Sequence, residues 1–126
     1  MRIAIGIYLL VHGICHFVGF VVPWKILTMK DEPYKTTLVA GAFDVGEIGI
    51  RVVGLLWLLA GLAFLAAALG VFASWSWWRP ATLFFATASL VLCVLGLPGA
   101  KIGILANALI LAFILGATLG WWPVAR

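Results

Sequence analysis

Residues 52–73 read VVGLLWLLAGLAFLAAALGVFA, 22 positions with no charged side chain. About 20 apolar residues, rising about 1.5 Å each as a helix, cross the roughly 30 Å hydrocarbon layer of a bilayer. No water reaches that layer, so each backbone N–H and C=O must be satisfied within the segment, which makes the run a helix. The same reading extends outward. Ile3–Val22 is a second run of this kind, stopped by Pro23. Pro80–Leu97 and Ile102–Leu119 are shorter but still span with little tilt. Pro80 suits a first helical turn, where its missing N–H has no intrahelical partner to lose. The expected fold is all-α: an integral-membrane four-helix antiparallel bundle forming one domain. Its spans are 3–22, 52–73, 80–97 and 102–119, with a long polar loop at 23–51.

Composition agrees. Of 126 residues, 66% are hydrophobic and 10% charged, and mean hydropathy is +1.24. Soluble domains run near 45–50% apolar and about 25% charged, so this chain lacks the polar surface of a water-soluble globule. The net charge is +4. Its basic residues are scattered singly, most of them at the ends of apolar runs, as headgroup contacts and topology signals are. No cluster tracks a phosphate backbone, which excludes nucleic acid as a partner. The first run is longer than a signal-peptide core of about 7–15 residues and no A-x-A-like site follows, so it is expected to stay as a span.

The connections are unequal. Short loops make the last three runs antiparallel neighbours. Loop one carries most of the charge, and its second half, TTLVAGAFDVGEIGIR (36–51), is apolar enough to lie in the interface or extend the second span. Asp44 and Glu47 suit such a helix start. Trp75, Trp77, Trp78, Trp121 and Trp122 are expected in an aromatic belt on the terminal face, with Trp24 on the other. Five Lys or Arg on the loop-one side against three on the terminal side favour loop one in the cytoplasm. Small residues recur at fourfold spacing, at Ala108, Ala112, Gly116 and Gly120 and at Ala66 and Gly70, and predict close helix contacts or an oligomer interface.

Polar groups inside spans are costly and face the bundle interior. Counting depth along each run puts His16, Cys93 and Asn107 in one layer, about 6 Å off the midplane toward loop one, with His12 and Ser89 one turn beneath. His12 and His16, four residues apart, share a helix face. The plainest use is a hydrogen-bonded structural pair, with Asn107, Ser89 or Tyr8 as partners. The next is a pocket for a polar or quinone headgroup, or a proton relay. Two imidazoles at this spacing can chelate one metal ion, for which Asp44, Glu47 or Cys93 would have to supply further ligands. They suit haem poorly, because axial ligands approach opposite porphyrin faces. Asp44, Glu47 and Arg51 are the candidates for the pocket mouth, with Arg51 snorkelling to phosphate or paired with Glu47. Cys15 and Cys93 read as small apolar core residues.

The stretches LLVHGICHFVGFVVPW (9–24), IRVVGLLWLLAGLAFLAAALG (50–70) and SWWRPATLFFATASLVLCVLGLPGAKIGILANALILA (76–112) resemble the small bacterial four-helix membrane proteins grouped as DoxX-like. The resemblance implies an integral bundle of the bacterial inner membrane and an association with quinone- or thiol-linked redox complexes, and it transfers no catalytic residue. The function expected is an accessory subunit of such a complex, with a polar intramembrane pocket around His12 and His16. The alternatives are a small-solute transporter or channel, and a structural subunit of a larger membrane assembly. The lipid bilayer is the expected surrounding, with other membrane subunits or further copies of the chain as partners.

Overall fold

The computed structural model describes residues 1–123. Helix α1 spans Arg2–His16 and a short α2 spans Val18–Val21. A two-stranded antiparallel hairpin follows, β1 (Thr37–Leu38) and β2 (Phe43–Asp44), and then three long helices: α3 (Gly46–Phe72), α4 (Trp78–Leu95) and α5 (Lys101–Thr118). The chain is thus mainly helical. Among the described residues, four segments are long and apolar enough to cross a membrane: Arg2–Val21, Gly46–Phe72, Trp78–Leu95 and Lys101–Thr118. The second span begins at Gly46, six residues before the apolar run, because the apolar tail of loop one extends the helix. Loop one is also less irregular than its composition suggests, since it contains the hairpin.

Three of the helical segments end in the same way. After α2 the chain passes through a left-handed residue, Lys25 (φ 56°), with Ile26 N–H on Val21 O at 2.8 Å and Lys25 N–H on Val22 O at 2.9 Å. Ser74 after α3 and Gly120 after α5 repeat this pair of bonds. The motif satisfies carbonyls that a helix end otherwise leaves without donors. Helix α4 ends differently. The hairpin tip supplies the donors, Val39 N–H to Leu95 O at 2.8 Å and Ala40 N–H to Leu97 O at 3.0 Å. To reach them, Val39 and Ala40 both take positive φ, at 50° and 54°. A β-branched residue there is strained, and such strain persists only where surrounding bonds fix the backbone.

The core is built from Leu9, Phe64, Ala67, Ala68, Val71, Trp78, Ala86, Ile110 and Ile114. Helix α1 packs on α3 at a glycine crossing. A Cβ on Gly13 would lie 2.9 Å from Gly61 O, and one on Gly61 would lie 2.9 Å from Gly13 O. Only two bare backbones approach this closely, the contact that membrane helices favour. Gly6 faces Phe72 and Gly19 faces Trp57 along the same seam. Arg2 donates to the Ser74 hydroxyl. Helices α4 and α5 pack on each other, and α4 packs on α3. By contrast, α1 and α5 scarcely approach at backbone level and meet through side chains.

Three expectations change. Trp78 is a core residue rather than part of an aromatic belt, because it packs on Gly70 of α3. Cys15 is exposed, and only Cys93 is buried. Of the small-residue stripe on α5, Ala108 and Ala112 face outward, while Gly116 lies under Trp122. The close helix contact inside the molecule uses Gly13 and Gly61 instead.

Candidate ligand cavity and its histidine ring

Where α1 and α5 diverge, a cavity of about 460 Å³ opens between them. Its walls are mostly apolar, from Val11, Val18, Val53, Trp57, Ile102 and Ala106. His12, His16 and Cys93 contribute the polar part of the lining deep in the helices, and Glu32, Lys35 and Thr37 contribute it at the loop-one end. Tyr8 closes the far end. Its hydroxyl donates to Ala106 O at 3.3 Å, bridging α1 to α5. Tyr8 also borders a second, apolar cavity of about 370 Å³ lined by Leu9, Leu109, Ile110 and Phe113.

The two histidines stand on one face of α1 because they are one helical turn apart. Both are buried, His12 at 8% and His16 at 2% exposure. Their rings meet edge to face at 4.6 Å, and Phe64 packs against both, at 4.7 and 5.2 Å. Trp57 tilts against His16 at 5.1 Å. Behind the histidines lie Ser89 of α4 and Asn107 of α5, both fully buried. The contacts are short: His12 Nε2 to Asn107 Oδ1 at 3.2 Å, Asn107 Nδ2 to Ser89 Oγ at 2.8 Å, and Ser89 Oγ to His16 Nε2 at 2.6 Å. His16 Nδ1 then returns to the backbone carbonyl of His12 at 2.8 Å, closing a ring.

The direction of every bond in this ring follows from one group. A carbonyl can only accept, so His16 Nδ1 carries a proton and donates to His12 O. Burying an uncompensated charge is costly, and neither imidazole has a carboxylate partner among the described residues, so each ring carries a single proton. His16 Nε2 is therefore an acceptor, and the Ser89 hydroxyl donates to it. Ser89 Oγ accepts from Asn107 Nδ2–H, whose other hydrogen goes to Gly103 O at 2.9 Å. Cys93 Sγ stands 3.5 Å from the same nitrogen. Asn107 Oδ1 must then accept from His12 Nε2–H. Every polar atom of the four side chains except His12 Nδ1 is satisfied, and without a net charge, as a low-dielectric interior requires. An amide does not pass a proton on, so Asn107 interrupts any relay around the ring. The arrangement orients the rings rather than conducting through them.

The residues singled out in the sequence separate into two groups. His12, His16, Ser89, Cys93 and Asn107 come together, with Ser89 and Asn107 behind the imidazoles rather than on the cavity wall. Asp44, Glu47 and Arg51 lie outside the cavity lining, and Glu32 and Lys35 occupy its mouth instead. The reason is a surface cluster: Glu47 Oε1 takes Lys25 Nζ at 2.9 Å and Arg51 Nη2 at 3.1 Å, while Trp24 Nε1 donates to Arg51 O at 3.0 Å. These bonds tie the end of the first span to the start of α3. The Glu47 carboxylate is the main cause that raises the Lys25 pKa. Asp44 accepts Gly46 N–H at 3.0 Å, ahead of α3, and this bond, with the Thr36 hydroxyl, lowers its pKa. Glu32 reaches the mouth because it rests on Gly99, where the turn between α4 and α5 has no side chain. Trp57 and Phe64, which grip the histidines, gave no sequence signal beyond being aromatic in an apolar helix.

A metal fits this donor set poorly. Among the described residues no three His, Cys, Asp or Glu side chains converge, and three of the four imidazole nitrogens are already committed. Comparison with protein-family models, with curated proteins and with solved structures returns no match in any of the three.

Proposed function

We propose that this chain is a multi-pass protein of the bacterial inner membrane, of the DoxX-like kind, and an accessory subunit of a quinone-linked redox complex. In this reading it holds the polar head of a membrane-borne amphiphile against the histidine ring. The observation that carries the reading is the cavity between α1 and α5, apolar along its walls and polar only at the histidines and at its mouth. Its volume lies within the range of about 300–1,000 Å³ typical of small-molecule sites.

Membrane insertion is supported by four long apolar helices whose outward faces carry large side chains such as Ile48, Leu59, Phe84 and Leu105. An antiparallel bundle is supported by the order of contacts: Gly6, Gly13 and Gly19 of the first span meet Phe72, Gly61 and Trp57 of α3 in turn. Within the site, His16 is the positioning residue, since both its nitrogens are used by the protein. His12 is the ring that meets a ligand, and Asn107 and Ser89 hold it.

The test is extraction and mass analysis of protein purified from bacterial membranes, alongside Val11→Trp. Val11 is an exposed wall residue outside the hydrogen-bonded ring, so the larger side chain is expected to take up cavity space. The expected result is a near-stoichiometric quinone-type amphiphile in the native protein, lost in the variant at unchanged thermal stability. Bulk phospholipid alone, identical in both preparations, contradicts the proposal.

A further inference from the structure

The ring leaves one nitrogen over. With His12 Nε2–H given to Asn107 and the imidazole neutral, His12 Nδ1 keeps a bare lone pair and has no hydrogen-bond partner among the described residues. It is not sealed in protein either. The one fully enclosed side-chain nitrogen or oxygen without a partner among those residues is Trp122 Nε1, so His12 Nδ1 lies on accessible surface. His12 itself is buried, at 8% exposure, and lines the cavity. A neighbouring group has the same polarity. Tyr8 gives its hydrogen to Ala106 O, so its oxygen also offers only lone pairs, and its ring is stacked on His12 at 6.3 Å. The deep end of the cavity thus accepts hydrogen bonds, while Lys35 and Thr37, which can donate, stand at the mouth.

We infer that the cavity selects a head group that donates a hydrogen bond, the hydroxyl of a quinol or phenol, over one that only accepts, the carbonyl of the corresponding quinone. The inference rests on the reading of the cavity as an amphiphile site. The chemistry is a matter of complementarity. A hydroxyl placed on His12 Nδ1 satisfies both groups. A quinone carbonyl there sets lone pair against lone pair and leaves both without a donor. A site built around a hydroxyl discriminates strongly against an analogue that lacks it, because its own polar group is then orphaned. No electron or proton transfer is part of the inference. It concerns which redox state of the ligand is held.

Four probes decide it, titrated into the full chain in lipid nanodiscs with the change in tryptophan fluorescence as the signal, Trp57 being the tryptophan that lines the cavity. They are a decyl-substituted hydroquinone kept anaerobic, its oxidised quinone, 4-decylphenol, and the methyl ether of that phenol. The hydroquinone and the phenol are expected to bind about tenfold tighter than the quinone and the ether respectively. In parallel, the ¹⁵N resonance of His12 Nδ1 should shift with the phenol and stay in place with the ether, which needs no substitution in the ring. Equal affinities within each pair overturn the inference and leave the cavity reading standing. A quinone that binds tighter than its hydroquinone also overturns it, and points to donation by Trp57 Nε1–H or Lys35. Saturable binding by none of the four removes the cavity reading and the inference with it.

Discussion

The molecule carries two polar networks of similar size that follow opposite rules. At the surface, Lys25, Glu47 and Arg51 keep full charges, with about half of each side chain exposed. In the interior, His12, Asn107, Ser89 and His16 close a ring without net charge, at exposures of 0 to 8%. Water replaces any partner lost from the first network. Nothing replaces one lost from the second, where a single deletion orphans its neighbour. The two ought therefore to respond very differently to substitution, although their bond lengths are nearly the same.

The largest effect is expected inside. Asn107→Leu removes the acceptor of His12 and the donors of Ser89 and Gly103. Interhelical bonds in membranes average about 0.6 kcal/mol each, and an orphaned buried group adds about 1–3 kcal/mol, so a loss of about 3 kcal/mol is expected in unfolding titrations in mixed micelles. Adding His12→Phe should recover part of it, since removing both partners of a buried bond is milder than removing one. Next comes the glycine crossing. Gly13→Leu drives a side chain into Gly61 O and the Phe64 Cβ, and a loss of about 2 kcal/mol is expected by the same titration. Ala108→Leu, on the outward face of α5, should leave the monomer unchanged.

The surface responds more weakly. Asp44 has its pKa lowered by Gly46 N–H and the Thr36 hydroxyl, so its support of the junction between β2 and α3 is present above the ordinary carboxylate range. It is lost as pH falls through the lowered value. Amide exchange at Gly46 should accelerate over that acidic window in the native protein, and show no such pH step in Asp44→Asn. The smallest effect belongs to Glu47→Gln, which weakens both exposed ion pairs and should leave the unfolding midpoint unchanged within error, in low and high salt alike.

The contrast also explains what was legible in the chain. Run length and composition are local properties, and they locate four apolar helices to within a few residues, apart from the extension of α3 to Gly46. Depth counting gathers His12, His16, Ser89, Cys93 and Asn107 into one region because a helix rises by a fixed amount per residue, but it misses the pairing by a turn, since His16 bonds Ser89 and His12 bonds Asn107 across the expected layers. The mouth escaped this logic. Loop one has no hydrophobic period, and its shape depends on bonds to distant backbone: Val39 and Ala40 on Leu95 O and Leu97 O, and Glu32 over Gly99. Val39 at a positive φ gives no turn signal at all. Asp44, Glu47 and Arg51 looked like a mouth by charge and proximity to a span, yet Glu47 and Arg51 bond to the first span's end, and Asp44 bonds to Gly46 and Thr36 beside the hairpin. Which histidine faces a ligand was equally hidden, since that depends on which nitrogens the protein itself consumes.

An amphiphile held in the cavity beside His12 should be traceable by photocrosslinking. An alkyl hydroquinone bearing a photoactivatable group on its ring, bound in nanodiscs and irradiated, should label α1 near Val11 and Cys15, α2 at Val18 and α5 near Ile102 and Ala106, in a pattern that unlabelled hydroquinone suppresses. Labelling spread over the outward faces, such as Leu55, Leu59 and Leu62 of α3, without competition, would contradict it.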